Sequence, residues 1–128
     1  MTEKISDRPH VYAVAHIDEI APGERKLVEV EGKSIGIFNV HGMYRAVLNI
    51  CPHAYAPICQ GRVGGTTLPS PPGEFTWGRE GEILFCPWHG WEFDLLSGSS
   101  PVDKRHLRLY PLHIEEKTLY IDMKAKKD

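Results

Sequence analysis

The sequence predicts an all-β fold of short antiparallel strands, and three observations carry that reading. No stretch keeps a helical period of 3.6 residues for ten residues or more. Apolar and polar residues alternate instead, over runs of strand length. The 12 glycines and 10 prolines fall mostly between those runs, where they break the chain into turns. At 128 residues, a single domain with a core of its own is expected.

Taken in order, Val11 to Ala15 alternates enough for a short strand. His16 to Pro22 reads as a turn or a single helical turn, stopped by Pro22-Gly23. Lys26 to Glu31 alternates apolar with charged residues, as a half-buried strand does. Gly32-Lys33 is a turn, and Ser34 to Val40, rich in Ile, Phe and Val, is the next strand. His41-Gly42 turns the chain into a third strand, Met43 to Asn49. Strands joined by two-residue turns with glycine make an antiparallel meander. Residues 64–81 show neither period and read as a loop insertion. Glu82 to Phe85 and Trp91 to Leu95 are short strands, and Ser97-Gly98 is a turn. His106 to Tyr110 alternates, Leu112 to Ile114 continues beyond Pro111, and Glu116-Lys117 turns into a last strand, Leu119 to Asp122.

Composition narrows the function. A net charge of −2 gives no reason to expect nucleic acid or an acidic membrane surface as a partner. The basic run Lys124 to Lys127 reads as a solvated terminus. Met1 to His10 is polar and lacks the apolar stretch of a secretory signal, and no segment has the roughly 20 apolar residues of a membrane span. A cytoplasmic protein is expected. Three cysteines in a reducing compartment argue for metal ligation or free thiols rather than disulfides.

Two loops stand out: Cys51-Pro52-His53 and Cys86-Pro87-Trp88-His89-Gly90-Trp91. Each offers one thiolate and one imidazole, which is half a metal site, twice. A lone Cys or His is ordinarily a buried core residue. That reading would have to explain two such pairs, with Trp88 and Trp91 crowding the second. A Cys2His2 zinc site is the rival metal centre. Zinc ribbons and fingers usually pair Cys with Cys and His with His, whereas each loop here gives one of each. Two facing loops of this kind suit a diiron cluster, with both cysteines on one iron and both histidines on the other.

These motifs, with Ala56-Pro57-Ile58-Cys59-Gln60-Gly61 after the first and Glu92-Phe93-Asp94 after the second, resemble the Rieske ferredoxins and the Rieske domains of ring-hydroxylating oxygenases. The resemblance covers roughly residues 11–123 of a single 1–128 domain. It implies stacked antiparallel sheets with two loops at one tip, holding a [2Fe–2S] cluster. It implies Cys51 and Cys86 on the inner iron, and His53 and His89 on the outer iron facing solvent. The gap between His53 and Cys86 is 32 residues, about twice the family's usual length, and 64–81 are the excess. Those residues are either a surface loop or a lid or partner-docking element, for which Phe75 and Trp77 would serve. The respiratory and photosynthetic members bridge their loops with two further cysteines, where this chain has Ala56 and Trp88. Cys59 is therefore expected as a free thiol, and His10, His16, His41, His106 and His113 as surface or strand residues.

The resemblance further implies a non-catalytic carrier that takes single electrons from a flavoprotein reductase to a terminal oxygenase. These 128 residues leave no room for the two-His, one-carboxylate iron site of an oxygenase. The alternative is a Rieske-type small subunit of a larger oxidoreductase such as nitrite reductase, and a structural zinc module is the third reading. High-potential members have a serine and a tyrosine where this chain has Trp91 and Phe93, which implies a low potential here.

Overall fold

The computed structural model describes residues 3–4, 10–52, 55–68, 71–73, 76–88, 90–100 and 104–124; for 3, 4, 67, 68, 76 and 77 it describes the backbone alone. The first strand pairs are β1 (Glu3–Lys4), β2 (Val11–His16), β3 (Arg25–Val30), β4 (Lys33–Val40) and β5 (Met43–Leu48). Then come β6 (Val63–Leu68), β7 (Thr76–Phe85), β8 (Glu92–Asp94), β9 (Leu109–Tyr110), β10 (Leu112–Glu115) and β11 (Thr118–Asp122). Single 3-10 turns at Ile17–Glu19 and Ile58–Gln60 are the only helical elements among the described residues. The strands form three antiparallel sheets, in the orders β1-β2-β11-β10, β3-β4-β5-β9 and β6-β7-β8. The all-β, stacked antiparallel expectation is borne out.

Turn chemistry sets the registers. Val30 faces Lys33 across Glu31-Gly32, Val40 faces Met43 across His41-Gly42, and Glu115 faces Thr118 across Glu116-Lys117. Both central residues of each turn have positive φ, between 50° and 92°. That is the left-handed conformation that matches the twist of paired strands. The first turn lies one residue earlier than Gly32-Lys33, because glycine serves at the second left-handed position, as in His41-Gly42.

The β3-β4-β5-β9 sheet is the middle layer. In β4, Ile35 and Ile37 join a core with Val14, Leu119 and Ile121 of the first sheet. Phe38 and Val40, on the other face, join a second core with Leu84 and Phe93 of the third sheet. Adjacent residues split the same way in β5 (Ala46, Val47) and in β9 (Tyr110, Leu109). The strand period of two thus sends alternate side chains into different cores. Asn39 is buried on β4, but its amide donates to Ile20 O (2.8 Å) and accepts from Gly42 N (2.7 Å), so it leaves no polar atom stranded.

Residues 64–81, expected as an aperiodic loop, correct that reading. They supply most of the hairpin β6–β7, whose register runs from Val63 opposite Leu84 to Leu68 opposite Thr76. A register shift between Gly64 and Thr66 interrupts the pairing opposite Arg79 to Glu82, and Arg79 (φ 58°) and Gly81 (φ 88°) take left-handed backbone there. That bulge, together with Gly64, Gly65 and Gly78, hides the alternation. Phe75 lies outside the described residues, and Trp77 is described by its backbone alone.

The turn Glu116-Lys117 holds two side-chain-bearing residues in left-handed backbone. Relief of that strain, roughly 1–2 kcal/mol per residue, exceeds the extra chain entropy of glycine, about 0.4–1 kcal/mol. Lys117→Gly is therefore expected to stabilise the fold by about 0.5–1 kcal/mol. Thermal melting checks this: an unchanged or lower Tm would refute it.

Candidate metal centre

Cys51 lies three residues beyond the end of β5 and Cys86 directly follows β7, so each cysteine is placed just after a core strand ends. Both are buried, at 0% and 2% exposure, in the same apolar cluster as Phe38, Leu84, Phe93 and Leu95. The three cysteines are free of disulfides.

The two loops close in the same way. Cys51 N donates to Ala56 O (2.7 Å), and Tyr55 N donates to Cys51 O (2.7 Å). Cys86 N donates to Trp91 O (2.8 Å), and Gly90 N donates to Cys86 O (2.8 Å). In both, the cysteine's N–H bonds the carbonyl five residues on, and its carbonyl accepts from the amide four residues on. The fourth residue is left-handed in each, Tyr55 at φ 60° and Gly90 at φ 73°. Pro52 and Pro87 hold matching positions just after the cysteines. The loops thus present Cys51 and Cys86 alike, while the histidine stands at the second position of one loop and the third of the other. His53 and His89 themselves lie outside the described residues.

Around the loops, the expected crowding is divided. Trp91 is half-buried and packs on the core that holds the cysteines. Trp88 corrects the expectation: it is 60% exposed, because the proline-started turn carries it outward. Tyr55 is 79% exposed on the first loop.

Two arginines brace the segments after the loops. Arg25 and Arg45 lie on either side of Phe38 in one row across β3, β4 and β5, so all three face the metal-loop side. Arg25 Nη1 donates to Cys59 O (2.7 Å) and Gly61 O (2.5 Å), with its guanidinium 5.1 Å from the Phe38 ring centre. Arg45 donates through Nε to Leu95 O (3.2 Å) and through Nη2 to Leu96 O. The hairpin β6–β7 is tied to β8: Arg79 pairs with Glu82 (2.7 Å) and Asp94 (2.9 Å), and Thr66 Oγ1 donates to Glu92 (2.8 Å). These carboxylates raise the already high pKa of Arg79. Sequence reasoning missed Arg25 and Arg45, since a charged side chain on a strand ordinarily reads as solvent-facing.

The remaining histidines stand apart from the loops. His10 bonds Glu31 (2.8 Å), His16 Nδ1 accepts from Asp18 N (3.2 Å), and His41 lies 3.5 Å from Glu82. His113 pairs with Glu115 (3.0 Å) and stacks on Tyr120, and His106 is exposed. Among the described residues no three His, Cys, Asp or Glu side chains form a metal-sized group. None of the helical elements described is long and apolar enough to cross a membrane.

Comparison with known proteins adds four findings. Residues 10–107 match the family described as Rieske [2Fe-2S] domain. The chain is similar to the ferredoxin component of the naphthalene 1,2-dioxygenase system of Pseudomonas aeruginosa, with 32% identity over 96% of this chain and 99% of the relative. It also resembles the biphenyl dioxygenase ferredoxin subunit of Pseudomonas sp. strain KKS102, with 26% identity over 83% of this chain and 85% of that one. Among solved structures, a chain from the complex of reduced oxygenase and oxidized ferredoxin in carbazole 1,9a-dioxygenase superposes with a TM-score of 0.71. At 20% identity over 93% of this chain and 98% of that one, the likeness is one of fold.

Cys59 is buried in the same core but belongs to its wall. Its Sγ donates to Val47 O (3.4 Å), its backbone N donates to Asn49 Oδ1 (2.8 Å), and a Cβ on Gly36 would meet the sulfur at 2.5 Å. Burial pushes its thiol from 9.0 up to about 12, a hydrogen bond from the Gly36 backbone and the nearby Arg25 charge only partly offsetting this. The raised pKa means that the neutral thiol supports the fold fully below pH 9 and ever less as pH rises from 9 towards 12. Cys59→Ala is expected to lower stability by about 1 kcal/mol at neutral pH through lost packing. It is also expected to flatten the alkaline decline seen by denaturant titration; equal slopes in variant and parent would contradict the assignment.

Proposed function

The chain belongs to the Rieske [2Fe–2S] domain family, and from that premise we propose that it is a soluble, low-potential one-electron carrier between a flavoprotein reductase and a terminal oxygenase. The observation that supports this best is the match to a dioxygenase ferredoxin component over nearly the whole length of both chains.

The cofactor is a Rieske-type [2Fe–2S] cluster, which supplies a site for one added electron. We assign Cys51 and Cys86 to one iron and His53 and His89 to the other. The chain's own features suit that donor set. Two thiols enter one buried apolar cluster from two loops of identical closure, and each loop brings one imidazole as well. A zinc knuckle would instead collect like ligands on one loop. Replacing Cys51 or Cys86 by Ser is expected to abolish the red-brown absorbance, because a hydroxyl is a poor ligand for iron–sulfur. Cys59→Ser is expected to keep it, and loss of colour there would show the assignment to be wrong.

We read residues 1–128 as a single cytoplasmic domain with its core at about 11–123. Reconstitution tests the carrier role. A flavoprotein reductase should reduce the protein, and the reduced protein should sustain turnover by a terminal oxygenase. Stable co-purification with a large nitrite-reductase-like subunit, with no transfer to an oxygenase, would favour the small-subunit reading instead.

The surroundings of the cysteines argue for a low potential. Reduction adds negative charge to the cluster, and hydrogen bonds to its sulfurs offset that charge. Phe93 is fully buried and Trp91 half-buried on that core, and neither has a hydroxyl. Their apolar surface leaves the added charge poorly compensated. Rieske centres span roughly −150 to +300 mV, and this one is expected near the lower end. The double change Trp91→Ser with Phe93→Tyr should raise it. Voltammetry of the parent is decisive, and a value well above zero would sink the argument.

A further inference from the structure

The tightest contact near the metal loops joins the segment after the first loop to the strand that enters the second. A Cβ on Gly61 would lie 1.8 Å from the carbonyl oxygen of Phe85 and 3.0 Å from its carbonyl carbon. That carbon is bonded to Cys86 N. Beside it, Phe85 N donates to Arg62 O (2.8 Å). The backbone at 61–62 is therefore pressed against the peptide that carries Cys86, at a distance that no side chain permits. On its other side the same turn is gripped by Arg25, whose one Nη1 reaches both Cys59 O (2.7 Å) and Gly61 O (2.5 Å). Gly61 N donates back to Ile58 O (3.0 Å), which closes the turn on itself.

We propose that Arg25 is a positioning residue for the cluster: it holds the 58–61 turn so that Gly61 abuts the Phe85–Cys86 peptide, and this contact sets the spacing of the loops bearing Cys51 and Cys86. The proposal rests on the reading of those cysteines as ligands. The physical reason is rigidity. A four-atom iron–sulfur core has fixed dimensions, so its thiolates must arrive at a fixed separation, and groups beyond the ligands set that separation. Arg25 is suited to this role. Its planar guanidinium lies by the Phe38 ring, in the core that contains both cysteines, and Phe38 is in the doubly buried strand β4. The clamp therefore transmits the position of the middle sheet to the metal loops. Lysine could supply the charge but not the flat guanidinium that lies by the Phe38 ring.

The test compares Arg25→Gln, Arg25→Lys and Gly61→Ala with a control, Val14→Ala, which thins the other core. Each holoprotein is studied by EPR in the reduced state, by cluster release to a chelator, and by thermal melting. Arg25→Gln and Gly61→Ala should both shift the EPR g-values and release iron about 10-fold faster, a loss typical of residues that orient ligands. Arg25→Lys should shift less. Val14→Ala should lower Tm and leave the g-values in place. Gly61→Ala keeps the Arg25 charge, so a shift shared with Arg25→Gln reports spacing rather than electrostatics. Should Gly61→Ala fail to fold, a graded shift from Arg25→Lys to Arg25→Gln supports the clamp. Parental g-values in Arg25→Gln, with a lowered Tm alone, would overturn it and leave the ligand assignment standing. A cluster retained by Cys51→Ser would overturn the ligand assignment, and the clamp with it.

Discussion

Strand β4 has no solvent face from Ile35 to Val40, and the other layers depend on that burial. A strand buried on one side can slip or twist until its apolar face finds cover. A strand buried on both sides has one register available, because a shift of one residue would exchange the contents of two cores at once. Its neighbours β3 and β5 are locked to it by two-residue turns, so the whole middle sheet inherits the constraint. The first metal loop leaves this sheet for the third, the second joins two strands of the third sheet, and both are tied back to the middle one. Cys51 leaves β5 three residues after Leu48, and Arg25 and Arg45 reach from β3 and β5 to the carbonyls beyond each loop.

Much of this was legible in the order of residues. The meander showed itself through glycine-bearing turns and apolar alternation, and the four presumed ligands through the Cys/His pairs of two loops. What escaped reading has particular causes. The hairpin β6–β7 is rich in Gly and Thr and has a bulge at Arg79 to Glu82, so its inward and outward residues do not alternate in sequence. The turn at Glu31-Gly32 was displaced by one residue, because a lone glycine can fill either central position. Arg25 was not singled out, since a strand pattern does not say that a guanidinium can bend to a neighbouring loop's carbonyls.

The equal closure of the two metal loops could not be read from the sequence either. One loop is Cys-x-His and the other Cys-x-x-His, and such spacing suggests loops of different size. The hydrogen bonds show the same five-residue closure in both, so the extra residue moves the histidine and leaves the frame unchanged. The frame also explains which side chains are free for contact. Trp88, which makes none of the closing bonds, is open to solvent, and so is the side chain of Tyr55, although its amide closes the first loop.

The two cores also differ in how far along the chain their parts lie. The core around the cysteines draws on residues between Phe38 and Leu109. The other needs β2 and β11, which pair Val11 with Asp122 across almost the entire described chain. Loop closure over such a span is slow relative to hairpin formation. Assembly is thus expected to run outward from the meander, with amide protection during refolding arising in β4 and β5 before β2 and β11. Simultaneous protection would speak against that order. On this order the half of the molecule that receives metal takes shape while the opposite sheet is still open, so iron–sulfur delivery would meet a prepared site before the chain has finished folding.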